Sequence, residues 1–172
     1  AKDLNTTSFQ IYKDIVIDAG NVLNALGDEA KDINHIFLTH SHADHITDLP
    51  FIIETFFENR EIPLTIYALE ETIEVLKKHS FNDVIWPDFT KIKLLRKDAF
   101  SLNLKPIKLD EIIKIHNYSI KAIKANHIAG ACGFVIKKNH QGFVISGDTH
   151  INPHIWEEIN NDEEIKSLVI EC

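Results

Sequence analysis

The sequence has no methionine and only two cysteines, Cys132 and Cys172. Two cysteines do not make a disulfide framework, so the thiol content leaves the compartment, cytoplasmic or periplasmic, undetermined. No apolar run approaches the length of a membrane span and no signal peptide is visible, so we expect no membrane partner. The residues from Ser167 to Cys172 have the pattern of a buried strand without a cap or a polar tail. We therefore expect the natural protein to continue past Cys172.

Positive charge is also scarce, since 18 lysines and arginines against 26 aspartates and glutamates give a net charge of −8. Such a chain has no basic field to hold a polynucleotide backbone, so we expect no nucleic-acid partner. A small phosphate ester stays compatible with this charge, because a local metal cluster can attract one anionic group. The length of 172 residues and the hydrophobic content of 44% predict a single domain over residues 1–172.

Apolar spacing predicts a helix from Asp44 to Phe57, bent or divided at Pro50, and a second helix from Glu70 to His79. Strand patterns fall into two groups, and the second group is predicted to begin with a strand at Ile92 to Leu95. Helices follow each group of strands. This order suits two mixed sheets packed face to face with helices outside, an α/β (α+β) fold of the αββα sandwich type.

One stretch concentrates metal-binding side chains and reads Thr39-His40-Ser41-His42-Ala43-Asp44-His45. It follows an apolar segment from Ile33 to Leu38, so we expect it on a loop at the end of a strand. In extended chain His40 and His42 point to the same side and can bind one ion. Asp44 and His45 follow at a predicted helix start and can serve a second ion. These ligands favour Zn²⁺, with Mn²⁺ or Fe²⁺ as alternatives, and a histidine-rich surface loop is the plain alternative.

Two further polar residues each follow a predicted strand. His127 comes after a strand that ends near Asn126, and Asp148 lies in Ser146-Gly147-Asp148-Thr149. Catalytic side chains are commonly placed on loops at the ends of rigid strands. Alone, His127 would more often be a surface histidine and Asp148 part of a turn, but the histidine-rich loop makes a metal site the better interpretation. Asp18, at the end of another strand, is expected to support that loop by hydrogen bonding.

These motifs, in this order, resemble those of the metallo-β-lactamase superfamily, whose fold is the αββα sandwich. A closer resemblance to the class II cyclic-nucleotide phosphodiesterases depends on shorter segments. They are Thr65-Ile66-Tyr67-Ala68, Phe81-Asn82, Ile85-Trp86-Pro87-Asp88-Phe89 and Val169-Ile170-Glu171-Cys172. The resemblance implies a hydrolase that opens 3′,5′-cyclic nucleotides, cAMP or cGMP, to 5′-monophosphates. The expected partner is therefore a small-molecule cyclic nucleotide, and a homodimer is left open.

The resemblance also implies a pair of zinc ions per chain that share and activate a water. The implied ligands are His40, His42 and His127 for the first ion, Asp44 and His45 for the second, and Asp148 as the bridge. Asp44 would also be the catalytic residue that accepts or relays a proton. The superfamily takes another histidine for the second ion from a loop near its C-terminus, and no residue after Asp148 matches it. We expect that histidine beyond Cys172; without it the second ion would be weakly held.

Three residues are candidates for binding the substrate: His79, Asn82 and Trp86. His79 approaches the substrate if the loop containing Trp86 folds over the site, and an exposed helix-end histidine is the alternative. Trp86 and Phe89 offer planar rings on which a purine can stack. For Trp86 the alternative is a core side chain packed beneath a long loop.

Other functions fit the same residues. Another hydrolase of the superfamily is one alternative: an arylsulfatase, a tRNA-processing ribonuclease or a lactonase. The negative charge counts against the ribonuclease. The arylsulfatase is harder to exclude, because hydrolysis of a sulfate ester needs the same pair of metal ions. A non-catalytic metal-binding domain is the third alternative. Asp44 weighs against it, because a structural zinc site has a closed ligand set and needs no second cluster.

Overall fold

The computed structural model describes residues 6–171. The chain divides into two compact units, Ala1–Pro106 and Ile107–Cys172. The strands form two five-stranded sheets, both of mixed direction, and helices accompany each sheet. The expected pair of mixed sheets with helices is therefore present. Within residues 6–171, no helix is both long enough and apolar enough to cross a membrane.

The first sheet contains β1 (Phe9–Tyr12), β2 (Ile15–Ile17), β3 (His35–Phe37), β4 (Leu64–Leu69) and β5 (Leu102–Ile107). The strands lie in that order, with β1 and β2 antiparallel and β2, β3 and β4 mutually parallel. Parallel neighbours need crossover connections, which the helices provide. β2 is buried along its whole length and β3 along most of it, as expected for parallel strands covered on both faces.

The helices of this unit are α1 (Val22–Leu26), α2 (Ala43–Ile46), α3 (Leu49–Thr55) and α4 (Glu70–His79), with 3₁₀ segments at Gly27–Asp32 and Phe57–Asn59. The helix predicted from Asp44 to Phe57 is divided, because Pro50 lacks an N–H and is tolerated only in the first turn of α3. α4 has its predicted bounds. Acidic residues occupy its first turn and basic residues its last, which complements the helix dipole.

The strand predicted at Ile92 to Leu95 is wrong. The segment carries one isolated bridge instead of a ladder. The Leu94 N–H donates to the Ala99 carbonyl oxygen, and the Ser101 hydroxyl donates to the Ile92 carbonyl oxygen. A chain reversal thus supplies the hydrogen bonds that a neighbouring strand would have provided.

The second unit contains β6 (Ile112–Ile115), β7 (Tyr118–Lys124), β8 (Cys132–Lys138), β9 (Gln141–Asp148), α5 (Pro153–Asn160) and β10 (Ile165–Glu171). Its sheet has the order β10-β9-β8-β7-β6, and α5 connects β9 to its parallel neighbour β10. Ile155 of α5 packs with Ile123, Val144 and other core residues of the sheet. The hairpin turn predicted between β8 and β9 is confirmed. Its central residues, Asn139 and His140, have φ angles of 49° and 60°, as a type I′ turn requires.

Candidate metal centre

The histidine-rich loop, residues 39–45, leaves the sheet of the first unit at the end of β3. His40 is fully buried, and its Nε2 lies 3.0 Å from Nδ1 of His42, which is exposed. The two rings meet edge to face with their centroids 4.7 Å apart. Ring nitrogens this close can direct their lone pairs at one cation, so the pair fits a divalent metal.

His45 is held by a buried carboxylate. Its Nδ1 lies 2.8 Å from Oδ2 of Asp18, and both side chains are buried. Thr39 donates to the same carboxylate through its backbone N–H at 2.8 Å and its hydroxyl at 2.7 Å. If Nδ1 of His45 carries the proton, Nε2 keeps its lone pair for a metal. The predicted support of the loop by Asp18 is confirmed.

Asp18 occupies an electrostatically and sterically costly position. Burial raises the pKa of its carboxyl group, and the hydrogen bonds from His45 and Thr39 oppose that rise. Its backbone lies in the left-handed region, with φ at 57°. A non-glycine residue there costs about 1–3 kcal/mol, and such strain is concentrated at functional sites.

A close backbone contact joins the turn after β2 to the start of α2. A Cβ atom on Gly20 would lie 1.7 Å from the carbonyl oxygen of Asp44, so a larger residue does not fit without a shift. The Ala19 N–H donates to the His45 carbonyl oxygen at 2.7 Å. The turn therefore fixes the backbone of two predicted ligands.

The Asp44 side chain lies on the accessible side of the same loop. It is 57% exposed, and its Oδ2 lies 3.7 Å from Nε2 of His45. The predicted ligand and proton acceptor is thus next to Nε2 of His45 and open to solvent. This position suits a group that exchanges protons.

The second unit brings together the other two predicted ligands. Nε2 of His127 lies 3.8 Å from Oδ2 of Asp148, and both side chains are partly exposed. His127 follows β7 and Asp148 ends β9, and β8 separates these strands in the sheet. An imidazole and a carboxylate at this separation can bind one divalent cation.

Sequence reasoning missed the role of Asn126, which joins two loops of the second unit. Its N–H donates to Thr149 Oγ1 at 3.0 Å, and its side-chain amide donates to the Ile151 carbonyl oxygen at 3.1 Å. Its own carbonyl oxygen accepts from the His150 N–H at 2.9 Å. These bonds fix the chain before His127 to the loop after β9. They join residues 23 to 25 positions apart, so no local sequence pattern predicts them.

Glu171 is a second residue to which sequence reasoning assigned no role. In the parallel register of β10 with β9 it lies opposite Asp148. Its N–H donates to the Ser146 hydroxyl at 2.9 Å. Glu171 therefore lies at the same end of the sheet as Asp148, and its carboxylate is a further candidate oxygen ligand.

The three predicted substrate contacts lie at and after the end of α4. His79 is exposed in the last turn of the helix. Asn82 Oδ1 accepts from the N–H groups two and three residues further on, at 3.0 and 2.8 Å, so its side chain holds a turn. Trp86 packs against the core of the first unit, and its ring centroid lies 5.1 Å from that of Phe51. For Trp86 this packing fits the alternative in which the side chain belongs to the core. Substrate binding by all three residues stays a prediction.

The sequence model of the family described as Beta-lactamase superfamily domain matches residues 13–171. The chain therefore belongs to the metallo-β-lactamase superfamily, and the resemblance seen in its motifs is confirmed. The fold of this superfamily implies a divalent metal, and each unit of the chain contributes His or Asp side chains that suit such an ion.

Among the curated relatives, 3′,5′-cyclic-nucleotide phosphodiesterase 1 of Saccharomyces cerevisiae is 33% identical over 92 residues, covering 53% of this chain and 25% of that protein. Ribonuclease Z of Clostridium acetobutylicum is 29% identical over 175 residues, covering 95% of this chain and 55% of that enzyme. The crystal structure of unliganded yeast PDE1 matches with a TM-score of 0.69 and 25% identity, over 83% of this chain and 45% of that one. The chain thus spans about half or less of the length of these relatives.

Proposed function

We propose that the protein is a 3′,5′-cyclic-nucleotide phosphodiesterase that forms 5′-monophosphates. The observation that carries the proposal is the agreement of two comparisons, since the sequence and the structure are both similar to the yeast phosphodiesterase. The net charge of −8 also supports a small substrate, because a polynucleotide would be repelled over many phosphates.

The proposal includes the pair of zinc ions that the motifs imply, with His40, His42 and His127 as proposed ligands of one ion, Asp44 and His45 of the other, and Asp148 of both. Bound there, the ions would activate a water and neutralise charge that develops on the phosphate. The protein's own residues prepare these ligands. Asp18 holds the ring of His45 through Nδ1, and Asn126 fixes the chain that precedes His127. The exposure of the Asp44 carboxylate supports its proposed role as acceptor of the proton that the attacking water would lose.

A ribonuclease of the Ribonuclease Z type is the second candidate. One observation favours it: the similarity to the Clostridium enzyme extends over 95% of this chain, further than the similarity to the yeast phosphodiesterase. Both reactions cleave a phosphodiester, so the same donor set serves either substrate. The two candidates differ in the size and charge of the molecule that must approach the site.

A comparison of substrates tests the proposal. Full-length protein loaded with zinc should convert cAMP or cGMP to the 5′-monophosphate and leave a precursor tRNA intact. Asp44→Asn, which keeps the size of the side chain, is the matched control and should lose about 100-fold or more of the turnover. Cleavage of the precursor tRNA without cyclic-nucleotide hydrolysis would assign the ribonuclease, and cleavage of aryl sulfates alone would assign an arylsulfatase.

A further inference from the structure

The second unit contains a cavity of about 430 Å³ between the loop after β9, the first turns of α5 and the end of β10. Residues that line it include Thr149, His150, Ile151, Asn152, Trp156 and Ile170. Cavities of this size with mostly apolar walls and a few polar groups are typical of small-molecule sites. Thr149 and Ile170 belong to motifs quoted above, but no ligand-binding role was predicted for them or for the other residues that line the cavity.

Trp156 gives the cavity an aromatic wall. Its side chain is 53% exposed, and the neighbouring Ile151 and Ile170 are 91% and 51% exposed. A half-exposed indole between exposed isoleucines is suited to stack on a planar heterocycle and to cover its edges. The described residues that line the cavity include no lysine, arginine or carboxylate, so the site suits an uncharged ring better than a phosphate.

Hydrogen bonds hold the floor of the cavity in place. The Asn152 side chain donates to the Lys124 carbonyl oxygen at 2.7 Å and accepts from the His154 N–H at 3.2 Å, which caps α5. Thr149 Oγ1 donates to the His150 carbonyl oxygen at 3.1 Å. A wall that is already ordered before binding loses little entropy when a ligand arrives.

The cavity adjoins the predicted metal ligand of the same unit. His150 lines the cavity, and its ring centroid lies 6.2 Å from that of His127. Asn126 also bonds the chain before His127 to the loop that forms the cavity floor. A nucleotide whose phosphate is bound beside His127 and Asp148 can therefore extend its base toward Trp156.

We propose that this cavity binds the purine base of the cyclic nucleotide, with the base stacked on Trp156. The inference rests on the proposed function, because it takes the phosphate to be bound beside His127. It assigns base recognition to the second unit, whereas Trp86 of the first unit packs against the core.

Steady-state kinetics on cAMP and on bis-p-nitrophenyl phosphate, which has no purine, test the proposal. Trp156→Ala should raise the KM for cAMP about tenfold and lower the cAMP preference, the ratio of the two kcat/KM values, by a similar factor. Trp156→Phe keeps an aromatic wall and should restore most of the preference. Leu95→Ala, which removes another exposed apolar side chain, is the matched control. Wild-type KM in a folded Trp156→Ala protein that still hydrolyses cAMP would overturn the inference and leave the proposed function standing.

Fluorescence gives a second measurement that does not depend on turnover. The 172 residues contain two tryptophans, so full-length protein in which Trp86 and every tryptophan outside these residues is replaced by phenylalanine reports on Trp156 alone. Titration with AMP should quench this emission saturably, and titration with ribose 5-phosphate should not. If the full-length protein hydrolyses no cyclic nucleotide, the proposed function fails, while saturable quenching by AMP still supports the base site. Absence of quenching by AMP contradicts the base site in either case.

Discussion

Oδ2 of Asp18 lies 2.8 Å from Nδ1 of His45, and the two side chains are excluded from solvent. The residues are 27 positions apart, at the end of β2 and in α2. The contact decides which nitrogen of His45 is available to a metal, because the nitrogen that donates to the carboxylate cannot also bind the ion. Each residue also compensates the burial of the other, since an unpaired carboxylate would be costly there.

Replacement of Asp18 by asparagine should therefore weaken metal binding. Asparagine keeps the size of the side chain but loses the charge that orients and polarises His45. We expect zinc affinity to fall about 10–100-fold, measured by competition with a chromophoric chelator. Asp98→Asn removes an exposed carboxylate of the same unit and should leave the affinity unchanged. Equal affinities for the Asp18→Asn and wild-type proteins would contradict the assigned role.

Gly20 should tolerate no side chain, because its Cβ would enter the carbonyl group of Asp44. Gly20→Ala is expected to displace the start of α2, lowering the free energy of unfolding by about 2 kcal/mol or more and reducing zinc content. Gly27→Ala is the control: its φ is also positive, at 53°, but its Cβ would meet no atom within 4 Å. Alanine is strained at this φ and at the ψ of −128°, so that variant should also lose stability, but it should keep its zinc because it does not displace a ligand. Stability is measured by urea unfolding and zinc content by metal analysis, for both variants. Normal zinc content in Gly20→Ala would contradict the role of Gly20 in positioning the ligands.

Trp86→Ala should act mainly on stability. The ring packs against the core of the first unit and the ring of Phe51, so its removal leaves a void. We expect the free energy of unfolding to fall by about 2–3 kcal/mol, measured by urea denaturation, with the KM for cAMP little changed. A raised KM at unchanged stability would instead support the substrate contact predicted from the sequence.

His42 and Asp44 should separate metal binding from proton transfer. His42→Ala removes a ring nitrogen from the close pair with His40 and should empty the first site. Asp44→Ala should abolish turnover while part of the metal is retained. Circular dichroism should show little loss of fold in either variant, because both side chains are exposed and neither belongs to the core. Full turnover by Asp44→Ala would show that its carboxylate is not the proton acceptor.

The sequence predicted those parts of the fold that local patterns encode. The bounds of α4 follow from apolar spacing and terminal charges, and the turn at Asn139 and His140 follows from its position between two apolar runs. The same kind of pattern gave a wrong prediction at Ile92 to Leu95. Apolar residues are present there, but the chain turns back and its backbone hydrogen-bonds to residues a few positions further on. A strand needs a neighbour, and the local sequence does not report whether one is there.

In the candidate site, too, some residues could be predicted from the sequence and others could not. The histidine-rich loop and Asp18 were predictable because metal ligands cluster in sequence and strand ends are recognisable. Asn126 was not, since its role depends on bonds to Thr149 and Ile151 that form only in the folded unit. The exposure of Trp156 could not be predicted either, because the local sequence does not show which face of its helix stays uncovered.

Metal analysis combined with cAMP turnover tests the central claim most directly. Full-length protein expressed with zinc should contain about two zinc ions per chain. Removal of the metal by a chelator should abolish cAMP hydrolysis, and added zinc should restore it. Undiminished hydrolysis by protein that has been shown to hold no metal, or metal-loaded protein that leaves cAMP and cGMP intact, would contradict the account.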